Sequence, residues 1–317
     1  MKQFLSCDWG TSSFRLKLVE TRSLRTLAEL QNSHGIAATN ANWQNTGSGQ
    51  TRFLFFASII ASGISHIEDQ IHGSLSGVPV ILSGMASSTL GMIQLPYKQM
   101  PFKTDGSDLK MEYIKALAEF EHDVFVISGV CSDNDVMRGE ETQLVGAADV
   151  QSDVAGVYIF PGTHSKHISV KDGIAYEFKT YMTGEIFSLL SKSSTLSESI
   201  GDTPQGTHGP IGDNFIAGVK DSVRSNLLHQ LFRVRSRFLL DKKDPLHNRE
   251  YLSGLLIGNE LQELSRAKTE KIVIVSSAMG DHYKAAIQVF ENNIPISLVD
   301  DRDVAIRGQY RIVSHMI

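Results

Sequence analysis

Cysteine is nearly absent from this chain, with two residues, Cys7 and Cys131, in 317. Two thiols in or just after apolar runs, with no histidines at ligand spacing, make neither a disulfide framework nor a zinc site. Reduced, buried thiols are expected. Excess positive charge is missing too. Thirty Lys and Arg against 35 Asp and Glu leave a formal charge of -5, so nucleic acid has no general attraction here and any phosphate must be held by a local site. No apolar run approaches the ~18 residues of a membrane span, and no cationic segment leading into an apolar core opens the chain. A cytoplasmic protein without a membrane partner is expected. Neither GxxxxGK[ST] nor a GxGxxG that opens a helix after a strand occurs, which removes the P-loop and the dinucleotide fingerprint.

What is there suits a soluble chain with a sizeable core: 41% hydrophobic and 21% charged residues, and length for two ordinary domains. Short strand-like runs alternate with longer helical ones. Residues 4–7 and 14–19 read as strands about a turn, and 53–72 as a helix with Ile59, Ile60, Ile64 and Ile67 at helical spacing. Residues 78–82 and 124–127 read as strands that run into Ser-Gly. Residues 155–160 and 167–170 flank a second turn. Gly201, Pro204, Gly206, Gly209, Pro210 and Gly212 mark residues 198–213 as a loop before a helix at 214–232. Further helices are expected at 250–264, 281–291 and 303–315, with a buried strand at 271–275. This alternation predicts α/β layers in two lobes.

Two small-residue turns between strands carry the chemistry. In Asp8-Trp-Gly10-Thr11-Ser12-Ser13, glycine lets a backbone approach an oxyanion closely, and amide and hydroxyl donors follow it. Asp8 would hold hydrated Mg²⁺, which takes hard oxygen ligands, largely through water. Alone, the stretch reads better as a hairpin whose acid caps its own backbone. Pro161-Gly162-Thr163-His164-Ser165-Lys166 repeats the device between strands that read as buried, and the repetition favours a two-sided phosphate grip. His164 and His167 have no third ligand at sensible spacing for a metal.

Between the turns lies Ser132-Asp133-Asn-Asp135-Val-Met-Arg138-Gly139-Glu140-Glu141-Thr142-Gln143. Asp135 can be read as a helix cap, with Glu140 and Glu141 on solvated positions of the first turns. Transfer of a phosphoryl group to a hydroxyl needs one carboxylate to take its proton, and this segment offers three: Asp135, Glu140 and Glu141. Arg138 is of a type to clamp a substrate carboxylate.

In this order, Asp8-Trp-Gly-Thr-Ser, Ser83-Gly84-Met85-Ala-Ser-Ser, Val136-Met-Arg-Gly-Glu-Glu-Thr-Gln143, Pro161-Gly-Thr-His-Ser-Lys166, Met182-Thr-Gly-Glu185 and Leu252-Ser-Gly-Leu-Leu-Ile-Gly258 resemble the 2-dehydro-3-deoxygalactonokinases along nearly the whole chain. More broadly, the chain resembles the sugar kinase, Hsp70 and actin superfamily. The resemblance implies a two-lobed, ribonuclease H-like fold with an interlobe cleft that closes over its substrates. Residues 1–150 would form the first lobe, 151–300 the second, and 301–317 a last helix able to pack back on the first. It implies ATP-dependent, Mg²⁺-assisted phosphorylation of a 2-oxo-3-deoxy sugar acid on its terminal hydroxyl in galactonate breakdown. It places Asp8, Gly10, Thr11 and Ser12 on the first phosphate motif and Gly162, Thr163 and His164 on the second, which lacks the superfamily's leading acid. Gly254, Gly258, Ala278 and Gly280 would let adenosine approach backbone, although helix packing explains the first two as well. Ser83 and Met85 would line the sugar-acid side. A kinase for another sugar acid, a sugar-acid sensor on the same fold and an actin-like or chaperone-like ATPase stay open, as does self-association of the chain.

Overall fold

The computed structural model describes residues 1–46, 49–151, 155–202, 209, 211–264, 269–290 and 293–316. Pro204, Gly206 and Pro210 of the expected loop lie outside the described residues. The chain opens with the antiparallel meander β1 (Gln3–Trp9), β2 (Phe14–Glu20) and β3 (Arg25–Asn32). Helices α1 (Ile36–Thr46) and α2 (Arg52–Ile71) follow. The Thr51 side chain accepts the Leu54 N–H and starts α2, and His72, in the left-handed region, ends it. Then come β4 (Val80–Gly84), the short strands β5 (Lys98–Gln99) and β6 (Phe102–Lys103), β7 (Met111–Ile114), β8 (Val124–Ile127), β9 (Val130–Cys131), β10 (Val136–Met137) and α3 (Glu140–Gln151). The remainder is β11 (Gly156–Phe160), β12 (Ser165–Lys171), β13 (Ile174–Tyr181), α4 (Thr183–Ser193), α5 (Asp213–Ser222), α6 (Leu227–Leu239), α7 (Pro245–Leu261), β14 (Ile272–Val275), α8 (Gly280–Phe290), β15 (Ile296–Val299) and α9 (Val304–Ser314).

Two compact units result. The first comprises Met1–Val154, Val170–Glu177 and Asp301–Ile317, and the second Ala155–Ser169 and Phe178–Asp300. In the first, the sheet order is β3-β2-β1-β4-β8-β7, with β1, β4 and β8 parallel. Its central strands β4 and β8 are buried on both faces, as strands covered on both sides are. Leu5, Cys7, Trp9 and Leu82 meet the α2 stripe of Phe56, Ile60, Ile64 and Ile67, while Phe4 and Ile81 meet Val145 of α3 and Ile306, Ile312 and Val313 of α9. The edge strand β3 alternates exposed and half-buried residues instead. In the second unit the order β13-β12-β11-β14-β15 repeats the pattern, a three-strand run followed by two parallel returns. Its core joins Ile159, Ile272 and Ile274 to Val219, Ile257 and Ile287 of the helices.

Helix pairing in each unit depends on missing side chains. A Cβ on Gly308 of α9 would lie 1.8 Å from the Thr142 carbonyl oxygen of α3, and one on Gly146 would lie 1.9 Å from that of Val304. In the second unit a Cβ on Gly254 of α7 would lie 2.0 Å from the Phe215 carbonyl oxygen of α5.

Several boundaries differ from expectation for local reasons. The helix expected at 214–232 is two helices, because Asn226 caps a new one by accepting the Leu228 N–H. Helix α7 starts at Pro245 rather than 250, with Asp244 as cap and proline in its first turn, where a missing N–H costs nothing. Cys7 is buried as expected, whereas Cys131 is only partly covered. Among the described residues no helix is long and apolar enough to cross a membrane.

Candidate active site

The first turn is closed by the Gly10 N–H donating to the Ser13 carbonyl at 2.9 Å. It leaves Thr11 and Ser12 exposed. Their loop is held from behind by α1: the Gly10 and Thr11 carbonyls accept the Ile36 and Ala37 N–H groups at 3.0 and 3.1 Å. That approach requires Gly35, whose Cβ would fall 2.3 Å from the Thr11 oxygen. Asp8, at the carboxyl end of β1, stands opposite Arg15 on β2, and the Arg15 Nη1 donates to its Oδ2 at 3.0 Å. Burial raises the Asp8 carboxyl above its ordinary range, and Arg15 offsets part of that rise.

The end of β4 brings α3 to the same edge of the sheet. Trp9 pairs with Gly84, and a Cβ on Gly84 would lie 3.3 Å from the Asp8 Oδ1. Gly84 has φ 80° and Gly139 has φ 109°, both in the region that favours glycine, and the Gly139 Cβ position is 3.5 Å from the Gly84 Cα. Helix α3 therefore begins beside Asp8, with Glu140 and Glu141 as its first two residues. Glu140 is half-buried. Glu141 is 1% exposed, against the expectation of a solvated position. Both its carboxyl oxygens face the Gly139 N–H at 2.8 and 3.0 Å, and Oε1 accepts from the Thr142 hydroxyl at 3.0 Å. Burial, reinforced by the charge of Glu140, pushes Glu141 up to about 8.

This shift fixes a sign for stability. From the ordinary value of 4.5 up to about 8, the folded chain keeps a proton that the unfolded chain releases, so unfolding free energy falls as pH rises, by at most about 1.4 kcal/mol per pH unit. The contribution is complete below the ordinary value and lost as pH passes the raised one. Urea unfolding at about pH 6 and about pH 8.5 should show wild type losing stability and Glu141→Gln losing clearly less; equal losses would place the carboxyl elsewhere in its titration.

Three candidates, Asp135, Arg138 and Ser83, sit differently from expectation. Asp135 does not cap α3. It ends the tight turn of the β9–β10 hairpin, where Val136 faces Cys131, the Ser132 N–H donates to its carbonyl at 2.9 Å, and its own Oδ1 accepts the Val136 N–H at 2.7 Å. Arg138 is engaged inside the first unit rather than set out as a clamp. Its Nη1 donates to Ser87 Oγ at 2.6 Å, its Nη2 to the Leu95 carbonyl at 3.2 Å, and its plane lies over the Tyr97 ring. Ser83 is buried, with its Oγ accepting from Gln309 of α9 at 2.9 Å. Met85 opens a short 3-10 turn and packs partly against the core.

The second turn repeats the first. Gly162, Thr163 and His164 are exposed between β11 and β12. The Glu185 N–H of α4 donates to the Thr163 carbonyl at 3.0 Å, and a Cβ on Gly184 would fall 2.5 Å from the Gly162 oxygen. Gly184 thus serves the second turn as Gly35 serves the first. His164 Nε2 lies 2.5 Å from the Glu185 carboxylate. Ala278 is exposed on the turn that follows β14, where the Ser276 hydroxyl accepts the Met279 N–H, and Gly280 begins α8. Gly254 and Gly258 leave the set of ligand-facing residues, because α5 fills the space before them. Gly35, Gly139 and Arg15 were not anticipated; a lone glycine directly before a helical pattern was the available signal for the first two.

Known proteins match this arrangement along its length. A family model described as 2-keto-3-deoxy-galactonokinase covers residues 8–312. The 2-dehydro-3-deoxygalactonokinase of Escherichia coli (strain K12) is 26% identical over 325 residues, spanning 99% of this chain and 98% of its own. The crystal structure of a candidate 2-dehydro-3-deoxygalactonokinase protein from Sinorhizobium meliloti superposes with a TM-score of 0.81 at 26% identity, covering 99% and 96% of the two chains. Component A of the (R)-2-hydroxyglutaryl-CoA dehydratase of Acidaminococcus fermentans shares the fold, with a TM-score of 0.53 at 11% identity over both whole chains. The family match runs from Asp8 at the first turn to Ile312 in α9 and takes in both glycine turns, so this chain belongs to the 2-keto-3-deoxy-galactonokinase family.

Proposed function

We propose that the protein transfers the γ-phosphoryl group of ATP to the terminal (6-)hydroxyl of 2-dehydro-3-deoxy-D-galactonate, a step of galactonate breakdown. The observation that carries this reading is the pair of exposed glycine turns, each backed by a glycine at the start of the following helix, in a chain of this kinase family. Backbone N–H groups and the hydroxyls of Thr11, Ser12 and Thr163 suit phosphate oxygens.

Asp8 fits a magnesium ion that travels with nucleotide. It is one hard oxygen donor at a strand end, and a cation, the Arg15 guanidinium, already rests on its Oδ2. The bound ion would supply charge compensation for the phosphates. Glu140 serves as base. It directly follows Gly139, which lies against Gly84 at the end of β4, while Glu141 is held protonated up to about 8 and has its oxygens occupied by Gly139 and Thr142. In the transfer, the sugar-acid hydroxyl oxygen bonds to the γ-phosphorus. The bond from that phosphorus to the bridging oxygen breaks, ADP leaves with the electron pair, and Glu140 takes the hydroxyl proton.

ADP release measured with and without 2-dehydro-3-deoxy-D-galactonate tests this directly. Strong stimulation by the sugar acid is expected, together with a higher kcat/KM than for its C4 epimer. No stimulation would overturn the kinase reading, and tight binding of the sugar acid without ADP release would mark a sensor.

A further inference from the structure

Behind the second turn lies a buried polar cluster that the transfer chemistry does not use. Glu260 of α7 is 3% exposed. Its Oε1 faces the His167 Nε2 of β12 at 2.8 Å, and its Oε2 accepts from the Tyr283 hydroxyl of α8 at 2.8 Å and from the Thr183 hydroxyl at the start of α4. The Tyr283 oxygen is in turn 2.8 Å from the Ser165 Oγ, the residue that follows His164. The His167 Nδ1 has no partner among the described residues, so the tautomer that donates from Nε2 to Glu260 suits the site.

A buried carboxylate is costly, and apolar residues of the same volume commonly serve stability as well or better. What apolar residues could not supply is a common anchor for the two elements that define this turn. Ser165 and His167 belong to the strand leaving it. Thr183 directly precedes Gly184, the residue against which Gly162 rests. Through three donors, one carboxylate ties strand and helix to α7 and α8. Burial and the Glu260 charge hold the Tyr283 hydroxyl well above its ordinary value, which keeps it a donor.

We infer that Glu260 is a positioning residue for nucleotide binding: acting through Tyr283, His167 and Thr183, it holds the turn of Gly162, Thr163 and His164 in its phosphate-binding shape. This rests on the kinase reading above, and no member of the cluster need touch nucleotide.

Calorimetric titration of the full chain with ATP and with ADP tests it, alongside sugar-acid KM and Tm. In Glu260→Gln an amide N–H₂ meets donors, and nucleotide Kd should rise about tenfold. Tyr283→Phe keeps the ring but removes the hydroxyl that joins Glu260 to Ser165, leaving His167 and Thr183 on the carboxylate; its nucleotide Kd should rise about threefold. In both, sugar-acid KM should stay within about twofold of wild type, since general loosening would move both substrates. If Glu260→Gln does not fold, Tyr283→Phe and Thr183→Val carry the test. Unchanged nucleotide Kd with a lowered Tm in the folded variants would overturn the inference and leave the kinase reading standing. A wild-type chain that binds neither nucleotide would overturn both.

Discussion

Asp8→Asn is expected to lower kcat by about 10³-fold or more, on the order of 4 kcal/mol of transition-state stabilisation, without lowering Tm. The two halves of that expectation have separate causes. Asparagine keeps the size of the side chain but removes the negative charge that a hard cation would need at this position. Charge compensation of the transferring phosphoryl group is most of what a kinase supplies besides positioning, so its loss falls on kcat. Stability responds differently, because burial raises the Asp8 carboxyl despite Arg15 at 3.0 Å. The fold thus works against the charge, and a neutral side chain relieves it. Titration with Mn²⁺ in the presence of ADP should show weakened metal binding in the variant. A near-normal kcat in Asp8→Asn would remove the anchor from the mechanism.

Glu140→Gln should cost about 10²- to 10⁴-fold in kcat, the usual range for a general base, while Asp135→Asn stays within about threefold of wild type as an ordinary substitution in a turn. The reason lies in backbone placement. Gly139 lies against Gly84, and Gly84 lies against Asp8, so the first residue of α3 follows directly on the backbone that abuts the strand end carrying Asp8. Asp135 belongs to a hairpin whose own amides occupy one of its carboxylate oxygens. Steady-state rates for the two variants under saturating substrates decide between them. Loss in Asp135→Asn with a normal Glu140→Gln would return the base to the hairpin.

Much of this layout was legible before any coordinates, and the limits follow distance along the chain. The β1 and β11 strands with their glycine turns stood out because small hydroxylated residues interrupt apolar runs, which is a local signal. The stripe of Ile60, Ile64 and Ile67 on α2 was readable for the same reason. Asp135 misled because an acid ahead of a helical pattern looks like a cap. The two-residue strands β9 and β10 are too short to show alternation, and Gly139, with its positive φ, resets the chain before α3 begins. Arg138 and Ser83 illustrate a second limit. Residue type for Arg138, and the family resemblance for Ser83, suggested ligand contacts, yet their partners, Ser87 and Leu95 for one and Gln309 for the other, are 43 to 226 positions away. Gly254 and Gly258 are four positions apart, which shows a small face but not what fills it. Only the fold reveals α5 there. Glu141 likewise gave no hint of burial, since its neighbour Glu140 is of the same type and only half-buried.

The seat of α9 has a consequence for how the chain is made. The first unit is interrupted in sequence and completed by residues from Asp301 onward. Ile306, Ile312 and Val313 cover Phe4, Val19, Ile81 and Val145, and the backbones of α3 and α9 meet at Gly146 and Gly308. On a ribosome, the part that starts first is therefore the part that finishes last. The nascent first unit carries an uncovered apolar sheet face until α9 emerges, whereas the second unit has its whole sequence available before then. That interval is when a chaperone has the most surface to hold and when premature termination is most damaging. A stop only a dozen residues short would leave both glycine turns encoded in full and the sheet beneath the first of them open to water.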